Sequence, residues 1–194
     1  IPGTVGGGLR MNGGAYGRAF RDVLVWAEVV DGAGIMHRAV LDELDLSYRH
    51  CGAPEDWIFT AAQFRGKQGG QDEITARMRE VSQARKESQP VNTRTGGSTF
   101  KNPDSDNPDS PKAWELIDRA GCRGLVRGGA MVSELHCNFL INMGDATAAD
   151  LEALGEEVRR RVEADSGIML QWEIRRIGEH GPDGALTSIA EVAP

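Results

Sequence analysis

The chain has 194 residues, 40% of them hydrophobic and 26% charged, so it can bury a sizeable core without disulfides or a structural metal. Its 22 basic and 29 acidic residues give a formal charge of −7, which speaks against a nucleic-acid or anionic-membrane binder. Cys51, Cys122 and Cys137 are widely spaced and form no CxxC pair, which argues against a disulfide framework and fits a reducing compartment. No apolar run approaches the roughly 18 residues of a membrane span. The chain opens at Ile1 rather than at a methionine, inside a glycine-rich stretch, and reads as N-terminally truncated.

That stretch, IPGTVGGGLRMNGGAYG, interleaves glycines with Ile1, Val5, Leu9, Met11 and Tyr16. Linkers are seldom so apolar, and glycines at this density allow close approach of a ligand to exposed N–H groups. Neither GxxxxGK[ST] nor GxGxxG after a strand is present, so a Walker or Rossmann loop is not supported. Residues 22–30 are expected to form a strand with Val23, Val25, Ala27 and Val29 on one face, and 35–41 its hairpin partner after Asp31-Gly32. DLSYRHCG (45–52) reads as a loop and 57–64 as another strand. Residues 72–88 predict a helix with Ile74, Met78, Val81 and Arg85 on one stripe, ended by Pro90. A polar loop follows over 91–112. A helix is then expected with Ser110 as N-cap, Pro111 at its first position, Trp114, Ile117 and Ala120 on its apolar side, and Gly121 as its stop. Residues 131–143 are expected to contain a strand in which Leu135, Cys137, Phe139 and Ile141 alternate against His136, Asn138, Leu140 and Asn142. Thr147 caps a helix striped by Leu151, Leu154, Val158 and Val162 and closed by Gly167. Residues 168–177 read as a last strand, and the tail from Gly178 has no clear pattern. The order β-β-β-α, loop, α-β-α-β is an α+β arrangement rather than a regular βαβ wind.

No metal site is expected, because His37, His50, His136 and His180 lack the spacings that zinc requires. GGSTFKNP (96–103) is richer in chemistry. Its glycines expose Ser98, and Lys101 and Asn102 add a cation and an amide that suit a polar anion, although a solvated surface turn reads equally well from the residues alone. Glu173, beside two arginines in WEIRR, is either half of a wet ion pair or a carboxyl directed into a cleft. Arg49 in SYR is either solvated or a bidentate ligand for a carboxylate.

Taken in order, IPGTVGG…MNGGAYG, SYR, GGSTFKNP and WEIRRIG resemble the signatures of the UDP-N-acetylenolpyruvoylglucosamine reductase (MurB) family from Ile1 to about Gly178. AWELIDRAGCRGLVRGGAMVSELHCNFLIN also resembles that family's substrate domain. The resemblance implies a bacterial cytoplasmic flavoenzyme of peptidoglycan synthesis. Residues 1–88 would be the end of a vanillyl-alcohol-oxidase/PCMH-like FAD-binding domain, and 89–194 an α+β substrate-binding domain. NADPH would reduce FAD, and a hydride would pass to C3 of the enolpyruvyl ether of UDP-N-acetylglucosamine. A proton delivered to C2 would complete UDP-N-acetylmuramate.

By the same resemblance Ser98 is the proton donor, and Arg49 and Glu173 stabilise or protonate the intermediate. Tyr48, Lys86, Lys101 and Asn102 would bind substrate. Gly3, Thr4, Val5, Gly6, Gly7, Asn12, Gly14 and Ala15 would contact the flavin. Gly13 stands where the family usually carries alanine. The short run from Arg49 to Ser98 places the chain in the subclass without a tyrosine-bearing lid, and a monomer is expected. The family's upstream glycine-rich phosphate loop is not in this sequence. Two other readings remain open: a non-catalytic UDP-sugar-binding module without its flavin domain, and another FAD-linked oxidase of the same superfamily.

Overall fold

The structure, a computed structural model, describes residues 3–105, 107 and 109–178. His180 and the patternless tail fall outside the described residues, as do Ile1 and Pro2. The architecture is α+β, in two compact units, Ile1–Gln71 and Asp72–Pro194. Among the described residues no helix is long and apolar enough to cross a membrane.

The first unit opens with a short helix, α1 (Val5–Arg10), inside the glycine segment that reads as loop from sequence. Thr4 caps it by accepting a hydrogen bond from the Gly7 N–H at 3.1 Å. A small hairpin follows, β1 (Gly14–Ala15) and β2 (Arg18–Ala19), then a one-turn 3₁₀ helix, Phe20–Asp22. The main sheet is antiparallel in the order β4-β3-β5, with β3 Leu24–Val30, β4 Met36–Val40 and β5 Ile58–Phe64. The β3–β4 hairpin forms where the sequence predicts it. Asp31 closes its turn by accepting from the Ala33 and Ile35 N–H groups, and its carboxylate pairs with His37 at 2.7 Å.

The face expected for β3 is corrected. Leu24, Ala27 and Val29 are buried, whereas Val23 is exposed and Val25 only half-buried. An irregularity in the β3–β5 pairing between Leu24 and Trp26 slips the pleat by one residue, so Leu24 takes the buried side while Ala27 and Val29 keep the side expected of them. The core of this unit gathers Leu9, Leu24, Ala27, Ala39, Leu44, Leu46, Cys51 and Ala53.

The helix α2 (Gln71–Ser88) belongs to the second unit in all but its first residue. Its apolar stripe exists but is not covered: Ile74, Met78 and Val81 are exposed, and α2 buries no residue. Four strands make an antiparallel sheet in the order β6-β9-β8-β7, namely β6 Arg94–Ser98, β7 Val126–Arg127, β8 Ala130–Val132 and β9 Phe139–Asn142. Two helices are packed into this unit, α3 (Ala113–Arg119) and α4 (Ala148–Ser166). The core joins Leu116 and Ile117 of α3, Leu154, Val158 and Val162 of α4, Ala130, Val132 and Leu140 of the sheet, and Phe100 and Leu170.

Four sequence expectations need correction here. First, α3 starts at Ala113, with Lys112 at the N-cap rather than Ser110, and it buries Ala113, Leu116 and Ile117 while Trp114 stays 40% exposed. Second, residues 131–143 do contain a strand, β9, but the alternation does not run back to Leu135, which is exposed outside it. The Ser133 hydroxyl accepts from the N–H groups of Leu135 and His136, and this local turn splits the segment into β8 and β9. Third, 168–177 form no regular strand, only an isolated bridge between Phe100 and Trp172, although Leu170 is still buried. Fourth, Gly96-Gly97-Ser98 belongs to a strand, β6, rather than wholly to a loop. Both ends of α4 match expectation. Thr147 accepts from the Asp150 N–H at 3.1 Å, and Gly167 adopts φ +73° at the C-cap.

Gly155 sits in the middle of α4, where alanine is the better helix former by about 1 kcal/mol. The reason for glycine is contact, since a methyl group there would overlap the indole of Trp172. Gly155→Ala is therefore expected to destabilise the full-length protein by about 1–3 kcal/mol through overpacking. Thermal or denaturant unfolding measures this, and a raised midpoint would mean that the indole moves aside freely.

Candidate functional site

In the second unit the candidate residues gather around β6 and the segment 171–174. β6 pairs with β9 through Arg94–Asn142, Thr95–Ile141 and Ser98–Phe139, and the register breaks between Thr95 and Ser98. The break falls at Gly96-Gly97, where Gly97 takes φ +90°, a conformation costly for any side chain. The bulge shifts the register ahead of Ser98, which ends the ladder opposite Phe139 and is half-buried.

Beyond Ser98 the chain leaves β9. Thr99 N–H donates to Asn138 O at 2.8 Å, and the Thr99 hydroxyl accepts from Leu140 N–H at 3.3 Å. The Asn138 side chain then pairs with both backbone groups of Phe100. Its Oδ1 accepts from Phe100 N–H at 2.9 Å, and its Nδ2 donates to Phe100 O at 2.8 Å. Lys101 and Asn102 emerge half-buried. Asn102 Oδ1 accepts from Ala113 N–H at 3.0 Å, which ties the loop to the first turn of α3.

Glu173 reaches the same place from 75 positions away. Its N–H donates to Thr99 O at 2.8 Å, and Lys101 N–H donates to Gln171 O at 2.8 Å. Glu173 is thereby held one residue from Ser98 in the bridge register. Its neighbour Trp172 anchors the segment: the indole lies 4.9 Å from the Phe100 ring, donates through Nε1 to Glu156 at 3.0 Å, and carries the Arg176 guanidinium 4.9 Å above it. The backbone segments that carry Ser98, Lys101, Asn102 and Glu173 thus run side by side as one ledge. Lys86 is exposed on the last turn of α2.

Behind the ledge, Cys137 is buried and its thiol is pushed up to about 11, first by burial. His136 is kept below the usual imidazole range by burial, and its Nδ1 accepts from Asn138 N–H at 3.3 Å. Arg123 grips Asp118 with two hydrogen bonds of 2.8 Å and holds that carboxyl below its ordinary value.

The first unit carries the remaining candidates. Gly3, Thr4, Val5, Gly7 and Ala15 are exposed, and Gly6 is half-buried. A side chain at Gly3 would meet nothing within 4 Å, and what favours glycine there is its backbone, at φ +106°. Gly14 differs, because a Cβ there would crowd Arg18 O and the Ala19 methyl of the hairpin. Asn12 differs again. It is 3% exposed, and its amide is used internally, donating to Ser47 O at 2.8 Å and accepting from Arg21 N–H at 3.0 Å. Arg21 adds a bond to Leu46 O at 2.8 Å.

These bonds build the turn that carries Tyr48 and Arg49. Arg49 sits at φ +51°, with its guanidinium 5.1 Å from the Tyr48 ring and 3.4 Å from Gly14 O. The SYR turn is therefore assembled on the glycine segment, inside one unit.

Residues 89–177 match the domain family described as UDP-N-acetylenolpyruvoylglucosamine reductase, C-terminal domain. Over 178 residues the chain is 60% identical to UDP-N-acetylenolpyruvoylglucosamine reductase of Parvibaculum lavamentivorans, covering 92% of this chain and 56% of that protein. The protein of the same name from Rhodospirillum rubrum is 59% identical over the same coverage. The chain belongs to the UDP-N-acetylenolpyruvoylglucosamine reductase family. The crystal structure of the Thermus caldophilus reductase (MurB) superimposes with a TM-score of 0.77 at 36% identity, covering 90% of this chain and 60% of that one. The chain thus spans about half the length of the curated reductases that it matches.

Asn138 and Thr99 escape a sequence reading of this ledge. The only signal for Asn138 is a polar residue in the otherwise apolar run Cys137–Ile141, which alternation assigns to a solvent face. One test of the ledge's backing concerns the thiol behind it. Native Cys137 is expected to resist alkylation at pH 8, where a thiol titrating near 11 is almost wholly protonated, and to react once the protein is unfolded. Mass spectrometry of labelled peptides reads this directly.

Proposed function

We propose that the protein containing this chain reduces the enolpyruvyl ether of UDP-N-acetylglucosamine to UDP-N-acetylmuramate, with NADPH as reductant and FAD as carrier, in bacterial peptidoglycan synthesis. The observation that carries the reading is the ledge on which Ser98, Lys101, Asn102 and Glu173 are brought together by backbone pairing. The printed names of relatives about 60% identical support it.

The residues present fit one wall of a flavin site. Gly3, Thr4, Val5, Gly6, Gly7 and Ala15 offer exposed or half-exposed backbone, and the Gly3 position is open where a side chain would stand. Asn12 and Gly14 serve the same wall from within, Asn12 by bracing it and Gly14 by allowing the hairpin to close. When bound, the flavin supplies the hydride that reduces the substrate double bond at C3.

The chain's own residues handle binding, charge and the proton. Lys101, Asn102 and Lys86 supply cations and an amide for the diphosphate of the nucleotide sugar. Arg49 is held in its turn by Asn12 and Arg21, and it places a fixed cation for the substrate carboxylate, which favours the enolate form as C3 is reduced. Tyr48 packs against that guanidinium. The Ser98 hydroxyl delivers the proton to C2, a strongly basic carbon for which even a weak acid suffices. Glu173, on the bridged segment next to it, assists as acid or as stabiliser. One hydride at C3 and one proton at C2 complete the addition across the double bond. Such a substrate and reductant place the enzyme in the cytoplasm.

Two variants of the full-length flavoprotein test this assignment. Ser98→Ala is expected to slow flavin reoxidation by substrate by about 10²–10⁴-fold while leaving reduction by NADPH near the wild-type rate. Stopped-flow absorbance separates the two half-reactions, and equal losses in both would remove Ser98 from the proton-donor role. Glu173→Gln is expected to lower substrate turnover with an unchanged melting temperature; wild-type turnover would return Glu173 to a surface ion pair.

A further inference from the structure

Asn12, Thr99, Ser133 and Asn138 are the buried polar side chains among the described residues. Ser133 closes the β8–β9 turn and Asn12 braces the first unit, so both are accounted for locally. Asn138 is different, because its partner is the backbone two residues beyond Ser98.

The need for it follows from the path of the chain. After the Gly96-Gly97 bulge the β6–β9 ladder stops at Ser98–Phe139. Phe100 is 1% exposed, and its N–H and C=O pair with the Asn138 side chain rather than with the β9 backbone. Left unpaired, the two groups would each carry the desolvation penalty of a buried polar group without a partner. The Asn138 amide stands in for a missing strand, offering one acceptor and one donor at 2.9 and 2.8 Å. Few side chains can do this. Aspartate lacks the donor, serine cannot reach both groups, and glutamine is a methylene too long. The fastening reaches Glu173 as well, since Thr99 O, between Ser98 and Phe100, accepts the Glu173 N–H.

We propose that Asn138 is a positioning residue of the protonation step: its amide fixes the Phe100 backbone and, through it, the mutual placement of Ser98 and Glu173. The proposal rests on the functional reading above. It acts only through the backbone, because Asn138 is buried behind the ledge.

Asn138→Asp in the full-length flavoprotein gives a distinctive test. The carboxylate presents an acceptor to the Phe100 carbonyl and breaks the pair. Once protonated, its O–H donates to Phe100 O, its C=O accepts from Phe100 N–H, and the pattern is restored. The surrounding titratable groups are His136 and Cys137 beside it, Asp118 and Arg123 against Cys137, and Lys101 and Glu173 on the paired segments. All of them are shared with the wild type, whose pH profile is the control.

At pH 8 the aspartate variant is expected to reoxidise its flavin with substrate about 10²-fold more slowly, the scale of a misplaced catalytic group, with reduction by NADPH unchanged. Acidification should recover the rate through a limb absent from the wild type. Wild-type reoxidation at pH 8, or equal loss in both half-reactions, would overturn the proposal. So would a loss that acid does not recover.

Backbone amide exchange decides the point independently of activity, and also covers an aspartate variant that does not fold. In Asn138→Ala the Phe100 and Lys101 amides should exchange markedly faster, with α4 protected as before. Unchanged protection at Phe100 would overturn positioning by Asn138. A colourless or inactive wild-type protein would instead overturn the functional reading, with the exchange result still deciding the role of Asn138.

Discussion

Two hydrogen bonds between the Asn138 amide and the Phe100 backbone hold the centre of the second unit together. A regular β6–β9 ladder would satisfy the backbone without help, but it would keep Ser98 in the plane of the sheet. The glycine bulge releases the strand and leaves Phe100 with unpaired groups in an apolar core. A side-chain amide removes that penalty at one point and lets the chain cross to residues 171–173. The ledge of Ser98, Lys101, Asn102 and Glu173 exists because a buried polar residue allows a strand to change partners.

The opposite side of the crossing is held by size rather than by polarity. Trp172 is too large for the space over an ordinary helix, and Gly155 opens α4 to receive it. The indole N–H is satisfied by Glu156, and Arg176 covers the ring while pairing with Glu152. Glu173 follows directly in the chain, so the anchoring of Trp172 limits where its carboxyl can go. Stability and site geometry are the same set of contacts here. Changes to α4 far from any substrate would reach the ledge through one ring.

The first unit solves a parallel problem with other means. Its glycine segment is not uniform. Gly14 is demanded by the hairpin and Gly3 is left open, while Asn12, in the midst of the segment, is buried and bonded to Ser47 and Arg21. The turn bearing Tyr48 and Arg49 is consequently built on the segment that would face the flavin. Arg49 accepts a left-handed backbone as part of that construction.

Periodicity and punctuation in the sequence determined much of the fold. The β3–β4 hairpin with its Asp31-Gly32 turn, β5, α2 and its end before Pro90, and α4 between Thr147 and Gly167 all depend on contacts within a few residues, and such contacts are written locally. The order of motifs likewise determined the family. What it left undecided depends on partners distant in the chain. The pleat of β3 is set by its slip against β5, the uncovered stripe of α2 shows that an amphipathic pattern does not itself bring a packing partner, and residues 168–177 alternate like a strand without a continuous ladder to join. The ledge belongs to this second class. Ser98 and Glu173 could be named from sequence, but their meeting is made by Asn138, Trp172 and Gly155. The roles of these three come from contacts spanning 16 to 38 positions, a separation at which periodicity carries no information and only the folded chain decides.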